Sequence, residues 1–410
     1  MQQATSPSSS FKLLAYLEKT LLLSPFIWLM IGVFNVPSGK SVLSKLIPVV
    51  AVYCLIRFKG EWRTNFSNPA FKAYSMANAI IFTFVALHHL IGSEEFSFAR
   101  TLLTVQIYLT VLPWRNINLR SISAIIAMGG IVVGLGAIYE VNILHLERAG
   151  FLAINPIPYS AFASIVLLSC LTAFFILPAN RYFSSLYALG SLGSITAIIL
   201  SGTRGAWLAM IIIFIMLTIP MVRSLNKKNL LITLVTGSFA IGVGVYITSD
   251  IIVKRYQETK TEFELMSHTT MDTSIGQRFQ AWERGRSYIY QHPIMGTGTS
   301  NYHEKIAQDK QNGFISPSAV EITHAHFHNQ YIDTLVRTGI LGMLILLAWA
   351  LFPVWLLHKN HCYQLRNWAL AIAIIILIAG LTDVPFHHTH IVYLYSMLMG
   401  IILLANKSLK

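Results

Sequence analysis

Three histidines alternate in the stretch ITHAHFHNQYIDTLVRTGILG: His324, His326 and His328. The stretch is polar at its start and apolar at its end. A neutral imidazole takes up a proton near pH 7, so a histidine at a water–membrane boundary can act as a general base. His328 lies nearest the apolar half and is the predicted catalytic base. His324 and His326 are expected to be solvated loop residues.

The same three histidines could instead bind zinc. An alternating spacing suits ligands on one face of a strand, but here the pattern runs into a predicted helix that scatters it. Cysteine or glutamate ligands at zinc spacing are missing as well. We therefore expect no metal and no cofactor. Within the predicted helix, Tyr331 shares a face with His328, whereas Asp333 points away. Asn329 and Tyr331 are candidates for substrate binding.

Arginines in two further stretches could hold an anion. In SGTRGAW, Arg204 is either an interfacial arginine beside turn glycines or an anion ligand, since a guanidinium fork can hold two phosphate oxygens. In IGQRFQAWERGRSYIY, Arg278, Trp282 and Arg286 are four residues apart and share one helical face, with Arg284 close by. Arg278 and Trp282 could also form an ordinary cation–π pair. Of these arginines we favour Arg278, with Arg204, as the catalytic pair.

A fourth stretch, TDVPFHHTH, carries Asp383, His387, His388 and His390. It either lines the same cavity as the arginines or forms a polar turn between two membrane spans. We include Asp383 among the candidate substrate-binding residues, with Arg284, Arg286, Trp282, Asn329 and Tyr331.

The elements that position these residues are predicted to be membrane helices. The chain has 410 residues, of which 54% are hydrophobic and 11% charged, whereas soluble domains carry about 25% charged residues. Apolar runs of about 17–25 residues can span a bilayer as helices. We predict an all-α integral membrane protein with about twelve such runs. Their limits are 20–36, 42–57, 74–91, 98–113, 122–140, 158–177, 182–200, 205–222, 229–248, 338–357, 367–383 and 388–405.

Lysine and arginine in the short connections predict the orientation. They concentrate on one side, together with both termini, and that side should be cytoplasmic. This topology explains much of the net charge of +13, so the charge does not indicate nucleic-acid binding. Cys54, Cys170 and Cys362 suggest no disulfide framework. The N-terminal tail MQQATSPSSS is expected to be disordered.

One connection is much longer than the others. Residues 249–337 are predicted to form a mostly helical periplasmic loop, packed as a cap on the bundle. It lies between the first nine spans, in 1–248, and the last three, in 338–410. All the arginine and histidine stretches lie in this loop or at the outer ends of spans.

The combination of motifs resembles the O-antigen ligase family. The resemblance rests on SGTRGAW after a span, on an arginine and tryptophan followed by PIMGTG in a long outer loop, and on HNQYIDTLVRTGILG entering a span. It covers about residues 190–345. It implies an inverting, metal-independent glycosyltransferase of the GT-C type in the bacterial inner membrane. The family's motif arginines fall on Arg204 and Arg278, and its histidine falls on His328.

The resemblance also implies the substrates. Such ligases move a glycan from undecaprenyl diphosphate to the lipid A–core oligosaccharide at the periplasmic face, among membrane lipids and without nucleic acid. The arginines would hold the diphosphate that leaves. Three alternatives remain: a Wzy-type O-antigen polymerase, a protein O-oligosaccharyltransferase, and a polytopic lipid-glycan transporter. The short stretch after the last predicted span leads us to expect no additional soluble region, and the spans carry few of the charges that a transporter needs.

Overall fold

The protein is described by a computed structural model that covers residues 9–92, 95–177, 180–208, 210–211, 215, 249–268 and 271–405. The regular elements in these ranges are helices. The predicted span 229–248 and most of the predicted span 205–222 lie outside the described residues. So do nearly all of the N-terminal tail and the last five residues of the chain.

The helices fall into three groups along the chain. The first is α1 (Ser9–Ile31), α2 (Gly39–Arg57), α3 (Glu61–Phe66), α4 (Pro69–Gly92), α5 (Ser97–Val111), α6 (Leu119–Ile138), α7 (Pro156–Ile176) and α8 (Arg181–Ser201). The second is α9 (Ser249–His268), α10 (Ser274–Gln291), α11 (Thr299–Gln311) and α12 (Pro317–Ala325). The third is α13 (Gln330–Lys359), α14 (Tyr363–Ala379) and α15 (Thr389–Ala405). A 3₁₀ turn (Trp114–Asn116) precedes α6, and a π-helical turn (Tyr139–Ile143) follows it.

Seven of the described helices are long and apolar enough to cross a membrane: α1, α2, α4, α6, α7, α8 and α13. The helices α14 and α15 are apolar but shorter. These findings agree with the predicted all-helical membrane protein. The number of about twelve spans stays a prediction. The helix α5, on the predicted span 98–113, has 15 residues, α14 and α15 are short as well, and two predicted spans involve residues outside the described ranges.

The centre of the bundle is α15, whose residues are buried from His390 to Ala405. Around it, α6 and α8 approach each other closely through glycines. A Cβ atom on Gly130 or Gly134 of α6 would collide with the backbone of Gly190 or Gly193 of α8. Small residues permit this approach of two helix backbones, as membrane helices often require.

The helices α9 to α12 form a cap with a small core of its own. Phe327, which lies between His326 and His328, belongs to that core together with Ala281, Tyr288, Tyr302, Ile306 and Val336. Side-chain caps fix where the elements begin: Thr273 starts α10, Ser316 starts α12 just before Pro317, and Asn329 starts α13. The cap at Asn329 therefore anchors the end of the histidine loop between α12 and α13, where α13 begins.

Helix α13 is broken at Gly339, which has φ 65° and ψ −166°. The segment before the break packs in the cap, and the segment after it is the membrane span. The turn 293–298 fills the break: the N–H groups of Thr297 and Gly298 donate to the carbonyls of Val336 and Arg337. In return, the carbonyl of Pro293 accepts from Ile340 N–H at 2.9 Å. The backbone groups freed by the break are thus satisfied.

Candidate active site

Phe327 holds the histidine loop in place through its side chain and both of its backbone groups. Its N–H donates to Asp333 Oδ1 at 3.2 Å, and its carbonyl oxygen accepts from Trp282 Nε1 at 2.9 Å. Its ring is fully buried in the cap core. Because its two neighbours in the chain are His326 and His328, these contacts fix the positions of both imidazoles.

His326 and His328 meet Asp383, which comes from the loop between α14 and α15. The two imidazole rings have centroids 4.3 Å apart, and His326 Nε2 lies 3.9 Å from Asp383 Oδ1. His388 Nε2 contacts the other carboxylate oxygen of Asp383 at 3.0 Å. His324 does not join this cluster, since its ring stacks on that of His303 at a centroid distance of 4.4 Å. The prediction that His326 is a solvated loop residue is wrong, because its side chain is buried.

Burial and charge set the protonation of the cluster. Burial alone would raise the pKa of Asp383, but the hydrogen bond and positive charge of His388 hold that pKa at about 2. Burial lowers the pKa of His326 to about 3. Burial and the nearby guanidinium of Arg278 lower the pKa of His328 as well, against the opposing charge of Asp383. At neutral pH both imidazoles are therefore neutral and Asp383 is a carboxylate.

The two ring nitrogens of His328 have different surroundings. A hydrogen bond to the backbone of Ile322 raises the pKa of the ring. Nδ1 is buried and has no hydrogen-bond partner among the described residues. In the neutral tautomer that carries its proton on Nε2, the lone pair of Nδ1 can accept a proton.

Arg278 lies on α10, one helical turn before Trp282, so one face of this helix carries both residues towards the histidine loop. Its side chain is half-buried, and burial lowers its pKa. The charges of Asp383, Glu262 and Arg204 also act on it. Arg278 makes no hydrogen bond or ion pair with any residue of the described ranges. A half-buried guanidinium without a carboxylate partner can accept an anion from a substrate.

Arg204 lies at the start of the helical residues 204–208. Its Nη2 is 3.6 Å from Glu258 Oε2 and 3.4 Å from Glu262 Oε1. The other oxygen of Glu262 accepts from the N–H of Ile275, in the first turn of α10. Glu262 therefore connects Arg204 to the helix that carries Arg278.

Two arginines at this edge were missed by the sequence reasoning. Arg148 donates to the carbonyl of Ser201 at 2.7 Å and to Thr203 Oγ1 at 3.1 Å, which fixes the backbone just before Arg204. Arg255 pairs with Glu258 at 2.6 Å. The sequence around Arg148 gives no sign of this role. Arg148 lies in a different connection of the bundle and contacts the SGTRGAW motif only in the folded protein.

Four predicted substrate-binding residues have other partners. Arg284 pairs with Asp309 at 2.7 Å, and Arg286 is exposed, over the ring of Tyr290. Neither contacts the His326, His328 and Asp383 cluster, so the expected pocket of converging arginines does not include them. Asn329 uses Oδ1 to cap α13 and Nδ2 to reach the carbonyl of Leu381. Tyr331 donates to the carbonyl of Leu377 at 2.7 Å. Both of these side chains join the histidine loop to α14 and the residues that follow it.

A buried ion pair in the first turns of α13 supports the histidine loop. Asp333, which the helical pattern placed away from His328, pairs with Arg337 at 3.0 Å. Arg337 also donates to Thr299, to Tyr302 and to the carbonyl of Ala325. The spacing of the acid and the arginine, four residues apart at the start of an apolar helix, was the available signal for this pair.

A cavity of about 120 Å³ lies beside the cluster, between α4, α5 and α13. His387 lines it, and the ring centroid of His387 is 5.5 Å from that of His326. Polar residues such as Thr334 and Thr338 line one part, and Phe84 and Leu346 line another. The lining is therefore mixed, with polar and apolar side chains around one cavity.

Comparison with known proteins finds a family match over part of the chain. Residues 189–347 match the family described as O-antigen ligase. An uncharacterised protein of Haemophilus influenzae is 31% identical over 187 residues, which cover 44% of this chain and 45% of that protein. The chain therefore matches less than half the length of this curated relative. The family match agrees with the resemblance seen in the motifs: the segment that carries Arg204, Arg278 and His328 matches the model of the O-antigen ligase family.

Proposed function

We propose that the protein is an inverting glycosyltransferase that takes a glycan from undecaprenyl diphosphate and attaches it to the lipid A–core oligosaccharide. The reaction would take place at the periplasmic face of the bacterial inner membrane. The observation that carries the proposal is the pairing of two groups. Among the described residues, Nδ1 of His328 is buried without a hydrogen-bond partner and would accept the proton, and the guanidinium of Arg278 nearby has no ion-pair partner and would bind the anion.

In the proposed reaction, a hydroxyl group of the acceptor attacks the anomeric carbon of the donor glycan. Its proton passes to Nδ1 of His328 as the new carbon–oxygen bond forms. The bond between the anomeric carbon and the diphosphate breaks at the same time, and its electron pair stays on the diphosphate oxygen. One displacement of this kind inverts the anomeric centre and needs no nucleophile on the enzyme.

The charges around His328 suit this proton transfer. The imidazolium that forms is stabilised by the carboxylate of Asp383, which favours the protonated ring. Asp383 is itself buried and bonded to His388, so we now assign it to positioning and electrostatics rather than to substrate contact. The negative charge that grows on the leaving diphosphate faces Arg278, with Arg204 at the edge of the site.

The lipid part of a substrate also needs a place. The cavity between α4, α5 and α13 is lined by polar residues such as His387 and Thr334 and by apolar residues such as Phe84 and Leu346. A lining of both kinds fits a molecule with a charged head and a hydrocarbon chain. We propose that it receives the first part of a lipid chain.

A polymerase that adds the glycan to another lipid-linked glycan would use the same donor chemistry. The family match and the site geometry support glycosyl transfer more than the transporter alternative. Ligase and polymerase differ in the acceptor, so the test offers both.

The test uses purified protein in lipid vesicles with an undecaprenyl diphosphate-linked glycan. One sample receives lipid A–core oligosaccharide and another receives only excess donor. We expect transfer to lipid A–core in the wild type, its loss in His328→Ala, and near-normal transfer in His324→Ala, which removes a histidine outside the cluster. Chain growth on the donor alone would indicate a polymerase. Near-normal transfer by folded His328→Ala would overturn the assignment of the base.

A further inference from the structure

The three side chains that form the histidine cluster have the chemistry of a transition-metal site. His326, His328 and Asp383 each offer one ligand atom, and these atoms all lie within 4.8 Å of one another. They come from two separate loops, the one before α13 and the one between α14 and α15. We propose that this cluster binds a divalent transition metal such as Zn²⁺ and that the bound metal inhibits glycosyl transfer.

The ligand set fits zinc. Zinc binds imidazole nitrogen and carboxylate oxygen at about 2.0–2.2 Å, which places tetrahedral ligands about 3.4 Å apart. The three atoms therefore need to close by no more than about 1.4 Å to reach that geometry. A lone pair is available on His328 Nδ1, which is buried without a partner among the described residues. Three protein ligands leave a fourth position for solvent.

The surroundings also resemble those of metal ligands. His388 holds the second oxygen of Asp383 at 3.0 Å. Groups in a second shell commonly orient metal ligands in this way. The alternating spacing in the sequence suggested His324 as a third ligand. Instead, His324 stacks on His303, and Asp383 takes its place.

The inhibitory role rests on the proposed function. A metal bound to Nδ1 of His328 occupies the lone pair that would accept the proton of the attacking hydroxyl. It also adds positive charge beside Arg278. Occupancy of the metal site and catalysis by His328 are therefore mutually exclusive, and a chelator should restore transfer.

The first arm of the experiment measures binding and does not depend on activity. Full-length protein in detergent is stripped with a chelator, desalted and titrated with Zn²⁺ against a chromophoric indicator. The chain has 14 histidines, so weak background sites are expected, and the comparison between variants is the readout. We expect one tight site in the wild type and in His324→Ala. In His326→Ala and Asp383→Asn we expect the affinity to fall about 10-fold or more, as for loss of groups that support a metal.

Asp383→Asn keeps the size of the side chain and is therefore the variant most compatible with folding. Thermal unfolding checks that this variant is folded. Equal Zn²⁺ binding by the wild type and folded Asp383→Asn would overturn the metal site.

The second arm measures transfer in vesicles. We expect Zn²⁺ to inhibit over the concentration range in which the tight site fills, Mg²⁺ not to inhibit, and a chelator to reverse the effect. Filling of the tight site without inhibition in an active enzyme would refute the inhibitory role. If the wild type transfers no glycan at all, the proposed function fails, while the binding arm still decides the metal site.

Discussion

The indole Nε1 of Trp282 donates a 2.9 Å hydrogen bond to the carbonyl oxygen of Phe327, the residue between His326 and His328. Helix α10 thus positions the histidine loop with the same face that carries Arg278. The candidate base and the candidate anion site are therefore fixed relative to each other by one helix.

We expect Trp282→Phe to reduce kcat about 5-fold with a smaller change in the donor KM, because loss of one neutral hydrogen bond, about 1 kcal/mol, loosens His328. Transfer rates in vesicles measure this. Trp355→Phe is the matched control, since Trp355 is exposed near the other end of α13. Equal kcat in Trp282→Phe and the wild type would show that this hydrogen bond does not position the base.

Two replacements of Arg278 should distinguish how much its charge and its planar fork each contribute to the transfer rate. We expect Arg278→Ala to lower the transfer rate about 10²–10³-fold, as for loss of a single donor at an oxyanion site. Arg278→Lys should restore only part of the rate, because an ammonium lacks the two-pronged fork. Arg204→Ala should act in the same direction by a smaller factor, since Glu258 and Glu262 already neutralise part of its charge.

Arg286→Ala is the control for this series, because Arg286 is exposed on the same helix over Tyr290. Wild-type rates in Arg278→Ala and Arg204→Ala would show that both arginines are interfacial anchors.

The acid limb of the kcat/KM profile should have an apparent pKa below that of an ordinary histidine. The pKa of His328 is lowered, so the base form persists when the pH falls below about 6.5, the usual value for histidine. A profile of kcat/KM against pH measures this. An acid limb above that value would contradict the assignment of His328 as the base.

The stability of the fold should also depend on pH, because His326 is buried in its neutral form. The pKa of His326 falls to about 3 in the folded protein, so the unfolded chain binds more protons than the folded one between about pH 3 and 6.5. His326 therefore destabilises the fold as the pH falls through that window. Thermal unfolding of the wild type should show a lower Tm at pH 5 than at pH 7. His326→Gln should reduce the dependence, and an unchanged dependence in this variant would assign it to other groups.

Glycine at position 339 should be essential for the fold of the cap. A Cβ atom there would collide with the backbone of Ile294, and φ is positive. We expect Gly339→Ala to lower the free energy of unfolding by more than the 1–2 kcal/mol or so of a left-handed residue alone. Gly313→Ala is the control, because Gly313 has φ +73° and open space around its Cβ position. Equal losses of stability in thermal or denaturant unfolding would show that the turn 293–298 does not brace the break.

Periodicity and composition predicted the helical class and most spans well, because a run of apolar residues long enough to cross a bilayer is a local property. The same holds for Arg278 and Trp282, whose spacing of four residues places them on one helical face. Contacts between distant segments were harder to predict. Asp383 reaches His326 from a loop 57 positions away in the chain, and the alternating histidines therefore suggested the wrong third member.

The contacts of the arginines were equally hard to predict from the sequence. Arg284 and Arg286 share a helix with Arg278, but a rotation of 100° per residue sends Arg284 to Asp309. Arg148 comes from another connection and supports the motif through the carbonyl of Ser201. The motif SGTRGAW could not reveal it, since the contact depends on how three helices pack.

The break at Gly339 has a consequence for how the site responds to the bilayer. The residues 340–359 that follow it form a segment about 30 Å long, which matches the thickness of the hydrocarbon core. Bilayers of different thickness change the tilt of such a span. In an unbroken helix, a tilt of roughly 10° would displace the end near Gln330 by roughly 2 Å, given a rise of about 1.5 Å per residue. Catalytic groups tolerate only about 0.5 Å of displacement. We expect the break at Gly339 to take up part of such a tilt, so that the span follows the thickness of the membrane while His328 stays in place.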